Sequence, residues 1–201
     1  MGKIVVIGAT GTIGRAVVVS LGARHDVIEV GATRGAFRVD STSVESVNTL
    51  FESIGKVDGV VTTTGRVHFG PLSGMNAEAF QLGLRDKLMG QINVVLAGQA
   101  WMNDGGSFTL TSGISAHEPV REGANASCVN LALEGFVMAA AAELKRGMRI
   151  NLISPTILEE SIPVFGDYFV GFEPVSAERV GMAYLRSVEG PGTGRVYRVG
   201  Y

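Results

Sequence analysis

The β-branched run KIVVIG (Lys3–Gly8) leads directly into GATGTIG (Gly8–Gly14), and Thr12 to Leu21 then reads as a helix. A strand, a glycine-rich turn and a helix start in this order leave few architectures open. Glycines let the backbone turn sharply and approach a ligand closely. The helix N-terminus that follows offers unpaired N–H groups and a positive dipole end to a pyrophosphate. As a bare pattern the loop is common; between a strand and a helix it is informative.

The alternation continues to the end of the chain. Further strand-like runs are DVIEVG (Asp26–Gly31), FRVD (Phe37–Asp40), VDGVVTTT (Val57–Thr64), SFTLTS (Ser107–Ser112), MRINLIS (Met148–Ser154) and GRVYRVG (Gly194–Gly200). Between them, Val44, Val47, Leu50, Phe51 and Ile54 recur at helical spacing. Thr42 and Glu45 are predicted to form a capping box at the start of that helix, and Gly55 to end it. Helical regions are also predicted over Asn76–Met102, Ser127–Arg146 and Ser176–Val188. Strands apolar on both faces and alternating with helices define a doubly wound (Rossmann) α/β fold: a seven-stranded parallel sheet with helices on both faces. A single dinucleotide-binding domain over residues 1–201 is expected. Ser154–Pro174 lacks periodicity, carries three prolines and several aromatics, and is predicted to be a lid.

Composition sets the outer bounds. Apolar residues are 46% of the chain and charged ones 18%, ample material for a core. A formal charge of −2 offers no basic field to nucleic acid. Cys128 is the only cysteine, which excludes an internal disulfide and fits a reducing compartment. No apolar run approaches the ~20 residues of a membrane span, and the N-terminal residues lack a signal-peptide pattern. A soluble, cytoplasmic protein with no nucleic-acid or membrane partner is expected. Glu159 and Glu160 have no further ligand at metal-binding spacing and read as solvated, so no metal site is expected.

In this architecture the tip of the second strand addresses the adenosine ribose, and a carboxylate there favours NAD. Here Gly31 and Ala32 occupy the tip, Glu29 lies inside the strand, and Arg34 and Arg15 are close by in sequence. No acid and two cations favour a 2′-phosphate, so NADP(H) is the expected cofactor, preferred over NADH.

Over nearly its whole length the chain resembles the short-chain dehydrogenase/reductase family. GATGTIG resembles the family's TGxxxGxG loop, which implies nucleotide contacts from Gly8, Thr10, Gly11, Thr12, Ile13, Gly14 and Arg15. Asp40-Ser41 is similar to the adenine-contacting pair. VVTTTG (Val60–Gly65) resembles the NNAG turn and implies contacts from Thr62, Thr63, Thr64 and Gly65. TLTSG (Thr109–Gly113) is similar to the strand bearing the catalytic serine, here Ser112. RINLISPTILEES (Arg149–Ser161) resembles the RVNxVxPGxxxT segment, with Pro155 and Ile157 beside the nicotinamide.

The catalytic pair departs from that pattern. Aligning on LEGF (Leu133–Phe136) puts Ala126 at the family's tyrosine and Asn130 at its lysine. The asparagine of the NxxG pattern falls on Lys87, and the closing threonine on Glu160. In the family, tyrosine protonates the developing alkoxide and lysine lowers its pKa, work that typically contributes about 10²–10⁴-fold. Alanine supplies none of it. Lys87 is the candidate replacement, because an ammonium gained there coincides with the one lost at 130. With Ser112 it forms the expected catalytic set. His117, Tyr168 and Cys128 are weaker candidates, the thiol being expected to lie buried.

The segment CVNLALEGFVMAAAAEL (Cys128–Leu144) is apolar nearly all round, which requires cover on two sides. With Ile92, Val95 and Leu96 it is expected to form a homodimer or homotetramer interface. Two functions remain open on the sequence. One is an NADP(H)-dependent oxidoreductase with a non-standard site, acting on a carbonyl, quinone or flavin-like molecule. The other is a catalytically degenerate NADP(H)-binding sensor.

Overall fold

The computed structural model describes residues 1–201. Seven strands form one sheet: β1 (Lys3–Ile7), β2 (Asp26–Gly31), β3 (Phe37–Arg38), β4 (Val57–Thr62), β5 (Met102–Thr111), β6 (Arg149–Pro155) and β7 (Val196–Val199). Their order is β3-β2-β1-β4-β5-β6-β7, and every pairing is parallel. The direction of winding reverses between β1 and β4. A crevice opens at the carboxyl ends of strands at such a switch point, which is where this fold binds ligands.

Side-chain alternation along the strands builds a core on each face. In β1, Val5 and Ile7 join Val47, Phe51, Phe108 and Leu133 on one side. Ile4 and Val6 join Val17, Leu21, Val180 and Tyr184 on the other. Helices α1 (Thr12–Gly22) and α7 (Ala177–Glu189) cover the second face. Helices α2 (Val44–Ile54), α4 (Gly90–Gly98) and α5 (Ala124–Glu143) cover the first.

Several local expectations need correction. The α2 cap is Ser43, whose hydroxyl accepts from the Ser46 N–H at 3.2 Å. Thr42 instead turns back and donates to the Asp40 carboxylate, so no capping box forms. The predicted helical region over 76–102 is three pieces: α3 (Ala77–Gly83), capped by Asn76, a π-helical turn over Leu84–Met89, and α4. β5 begins at Met102, five residues before the apolar run, through a register shift between Val57 and Gly59. α5 starts at Ala124 and is the one helix with the length and mean hydropathy, 1.2, of a membrane span. It is a core helix all the same: Ala126, Val129, Leu133 and Val137 are buried along one stripe. Cys128 lies off that stripe and is exposed. Val95 packs into the core, so the outward apolar residues of α4 and α5 are Leu96, Leu131 and Met138.

The Ser154–Pro174 stretch is not structureless. It carries a 3₁₀ turn at Glu159–Ser161, helix α6 (Ile162–Phe165) and a second 3₁₀ turn at Gly166–Tyr168. Glu160 is not simply solvated: its carboxylate accepts from the Ala177 N–H and ties this segment to the start of α7.

Candidate functional site

Two cavities lie at the carboxyl edge of the sheet. The larger, about 810 Å³, lies over β1, β2 and β4 and is walled by Gly8, Thr10, Gly11, Asp40, Ser41, Thr63, Thr64 and Gly65 among others. The smaller, about 210 Å³, lies over β5 and β6.

The glycines of the first loop divide the labour. Gly8 has φ +90°, and a Cβ on it would meet Thr63 Oγ1 at 2.6 Å. A Cβ on Gly14 would stand 2.0 Å from the Gly8 carbonyl, so α1 could not start where it does. Gly11 has no such packing need: its nearest neighbour would be Gly8 O at 3.4 Å, and it lines the cleft. Packing does not require glycine there, and without a side chain the backbone is open to close approach by a ligand. No side chain caps α1 and no acid lies in its first turn, so its N–H groups and dipole are left for an anion.

The other walls are polar. Asp40 accepts from Thr42 Oγ1 at 2.7 Å and Thr42 N at 2.9 Å, and these bonds hold its carboxyl below the usual carboxylate range. Thr63 donates to the Gly8 carbonyl at 3.1 Å. The Thr64 hydroxyl is buried without any partner, a gap that a ligand oxygen or nitrogen would fill. No carboxylate lines the cleft at the β2 tip, where Gly31 and Ala32 stand. These features fit a dinucleotide.

Not every expected residue reaches this cleft. Thr62 is fully buried below it, and its hydroxyl donates to Gln91 Oε1 at 2.6 Å, bridging β4 to α4. The residues of this turn that line the cleft are the next two, Thr63 and Thr64. Gly14 acts through packing and Thr12 stands outside the lining. Arg15 is exposed and donates to the Thr10 carbonyl at 2.7 Å, bracing the loop. Arg34 is exposed in the loop after β2 and does not line the cleft. Two cations that sequence reasoning missed do line it: Arg66, paired with Asp86 at 2.6 Å, and Arg85. No local pattern marks them, because only the folding of the β4 loop against the π-helical turn brings them to the nucleotide cleft.

The small cavity brings together Ile13, Lys87, Ser112, Ala126, Asn130, Pro155 and Ile157. Lys87 reaches it from the π-helical turn, and Ala126 and Asn130 from α5. Such turns often occur at functional sites. The turn is packed tightly: Gly65, at φ +119°, would place a Cβ 2.5 Å from Lys87 Cα. Lys87 lines the small cavity, next in sequence to Asp86, which lines the larger one. Its ammonium donates to the Ser112 carbonyl at 3.3 Å, and desolvation lowers its pKa from 10.5 to about 8. Ser112 is buried, and its hydroxyl donates to the Asn130 carbonyl at 3.0 Å. Its proton is therefore committed, leaving Ser112 an acceptor towards the cavity. Asn130 donates to Ser115 Oγ at 2.8 Å while its Oδ1 has no partner.

The weaker candidates lie elsewhere. His117 pairs with Glu134 at 2.8 Å, outside the cavity lining. Tyr168 stacks on Phe69 with ring centroids 4.7 Å apart and is also outside it. No group of three or more His, Cys, Asp or Glu side chains is placed to hold a metal.

Known proteins share the fold. The family described as enoyl-(acyl carrier protein) reductase matches residues 16–188. The protein lin1944 from Listeria innocua is similar in structure, with 43% identity over 99% of this chain and 100% of that one, at a TM-score of 0.97. A small-chain dehydrogenase is 28% identical over 98% of this chain and 95% of its own, at 0.85. A small-chain dehydrogenase in complex with NADPH is 25% identical over the same shares, at 0.88. No curated protein sequence matches. The chain belongs to the short-chain dehydrogenase/reductase family of oxidoreductases.

Proposed function

We propose that this protein is an NADP(H)-dependent reductase of a small carbonyl compound in which Lys87 replaces the family's tyrosine as proton donor. The observation that carries this reading is the partly desolvated Lys87 ammonium lining the same cavity as Ser112, Ala126 and Asn130. NADPH binding draws support from the similar small-chain dehydrogenase in complex with NADPH and from the absence of an acid at the β2 tip. The exposed Arg34 and Arg15 would meet a 2′-phosphate at that end. The bound cofactor would supply a hydride from its nicotinamide ring.

The chain's own residues supply the remainder. The Gly8–Gly14 backbone and Thr64 hold the nucleotide, and Pro155 and Ile157 wall the cavity end. The carbonyl oxygen that gains negative charge accepts a proton from Lys87. With a pKa of about 8 the lysine is mostly charged at neutral pH, yet acidic enough to give its proton up. Its positive charge stabilises the developing oxyanion before transfer, and solvent returns the proton afterwards. Ser112 and Asn130 orient the substrate by accepting from its donors.

Leu96, Leu131 and Met138 form an exposed apolar surface on α4 and α5. A homodimer or homotetramer through these helices would cover it, and sedimentation velocity tests for that assembly.

The test of function uses NADPH deuterated at each face of C4, with aldehyde, ketone and quinone acceptors. Label transferred from one face only, and strongly slowed in Lys87→Met, is the expected result. Tight NADPH binding with no transfer to any acceptor would make the chain a redox-reporting binding protein instead.

A further inference from the structure

The small cavity is walled in part by aromatic residues from two segments distant in sequence. Phe69, in the loop after β4, stacks on Tyr168 at 4.7 Å and lies 5.8 Å from Phe165 and 6.5 Å from Phe169. Phe69, Phe165 and Phe169 line the cavity. The same two segments expose Leu72, Ile162, Val164 and Val170 to solvent, an apolar approach to that wall.

Polar groups of the same lining are incompletely bonded. Lys87 has a single acceptor at 3.3 Å. Asn130 Oδ1 and Thr156 Oγ1 are buried with no partner. Each such atom carries a penalty of about 1–3 kcal/mol; the Thr156 hydroxyl could donate to a ligand's carbonyl oxygen, whereas Asn130 Oδ1 can only accept from a ligand's donor. No carboxylate lines the cavity, so nothing there would attract a cationic ligand.

Size sets the third limit. A cavity of about 150 Å³ holds benzene, whereas sites for drug-sized ligands run to about 300–1,000 Å³. At about 210 Å³, with Pro155 and Ile157 of its lining expected beside the nicotinamide, this one suits no more than a single substituted ring.

We infer that the cavity is a subsite for monocyclic aromatic carbonyl compounds. The ring lies against Phe69, Phe165 and Phe169, and the oxygen lies at Lys87. The inference rests on the reductase reading for its meaning as a substrate site, but it concerns binding alone. It narrows the acceptor to one-ring carbonyls and sets aside tricyclic flavins.

Fluorine NMR of 4′-fluoroacetophenone with the full chain, free and saturated with NADP⁺, tests it. Saturable broadening is expected in both states, with no displacement by riboflavin. Phe165→Ala should raise the probe's Kd about fivefold, the scale of one lost aromatic pair, and leave the Kd of NADP⁺ unchanged. Phe165 is 39% exposed, so its truncation should not unfold the chain. Lys87→Met should also weaken the probe. Displacement of the probe by NADP⁺ would overturn the inference, since the cavity would then belong to the nucleotide. So would a Phe165→Ala variant that binds the probe as tightly as the wild type. Failure of the reductase reading looks different: NADPH and the probe would both bind, and no label would pass to any acceptor.

Discussion

The two cavities at the edge of the sheet are built by opposite means. The large cleft is shaped mainly by backbone: Gly8, Gly11, Gly31 and Gly65 line it, and few apolar side chains do. The small cavity is shaped by side chains, with Phe69, Phe165 and Ile157 in its apolar lining and Lys87 and Asn130 in its polar lining. Backbone recognition leaves a mark in sequence, because only glycine tolerates the approach. Side-chain recognition can be rebuilt from another element, and here the cation faces the cavity from the π-helical turn instead of from α5.

The sharpest way to separate the two regions is Lys87→Met. Carbonyl reduction should fall by about 10²–10⁴-fold, the usual worth of a general acid, while the Kd for NADPH stays within about twofold. Equal losses in rate and cofactor affinity would mean that the lysine serves the cleft, not the cavity.

Gly14→Val attacks the cleft through packing. Its Cβ has no room beside the Gly8 carbonyl, and unfolding by urea should show a loss of about 3 kcal/mol. Gly11→Ala, three residues away, should leave stability within about 0.5 kcal/mol and still weaken NADPH. If both variants lost stability alike, the division of labour in the loop would be wrong.

Lys87 also makes a prediction that needs no substrate. Its pKa in the folded chain is about 8 against the ordinary 10.5. Over that window the unfolded chain holds a proton that the folded chain has released, so stability should rise with pH. The rise should be about 2 kcal/mol after allowance for partial exposure, and Lys87→Met should abolish it.

Smaller effects concern the nucleotide. Arg34→Asp should raise the Kd of NADPH about tenfold, the scale of one charge-assisted hydrogen bond, and leave NADH nearly unaffected. Equal effects on both would remove the 2′-phosphate assignment. Thr64→Val should weaken NADPH by a few-fold and leave the free chain as stable as before, since that hydroxyl is unpaired without a ligand.

Much of this fold was legible in sequence because its signals are local. The loop Gly8–Gly14, the stripe of α2 and the β-branched strands each follow from residues close together in the chain. The errors fall where non-local forces decide. Thr42 and Ser43 are both able to cap a helix; the bond from Thr42 to Asp40 makes Ser43 the cap. β5 extends back to Met102 through pairing with Val57, which no apolar run announces. The π-helical turn has no residue pattern, so sequence could nominate Lys87 but not show how it enters the cavity. Ser112 falls where the family resemblance puts the serine, yet the direction of its hydroxyl depends on the Asn130 backbone carbonyl of α5. Arg66 and Arg85 join the cleft only through tertiary packing.

The most direct test of the central claim is the pH dependence of carbonyl reduction at saturating NADPH, in wild type and Lys87→Met. A proton donor with a pKa of about 8 predicts a wild-type rate that is level below that value and falls as pH rises through it. The variant's rate should be far lower and lack that limb. Profiles of the same shape and height in the two proteins would contradict the account and return Lys87 to a structural role.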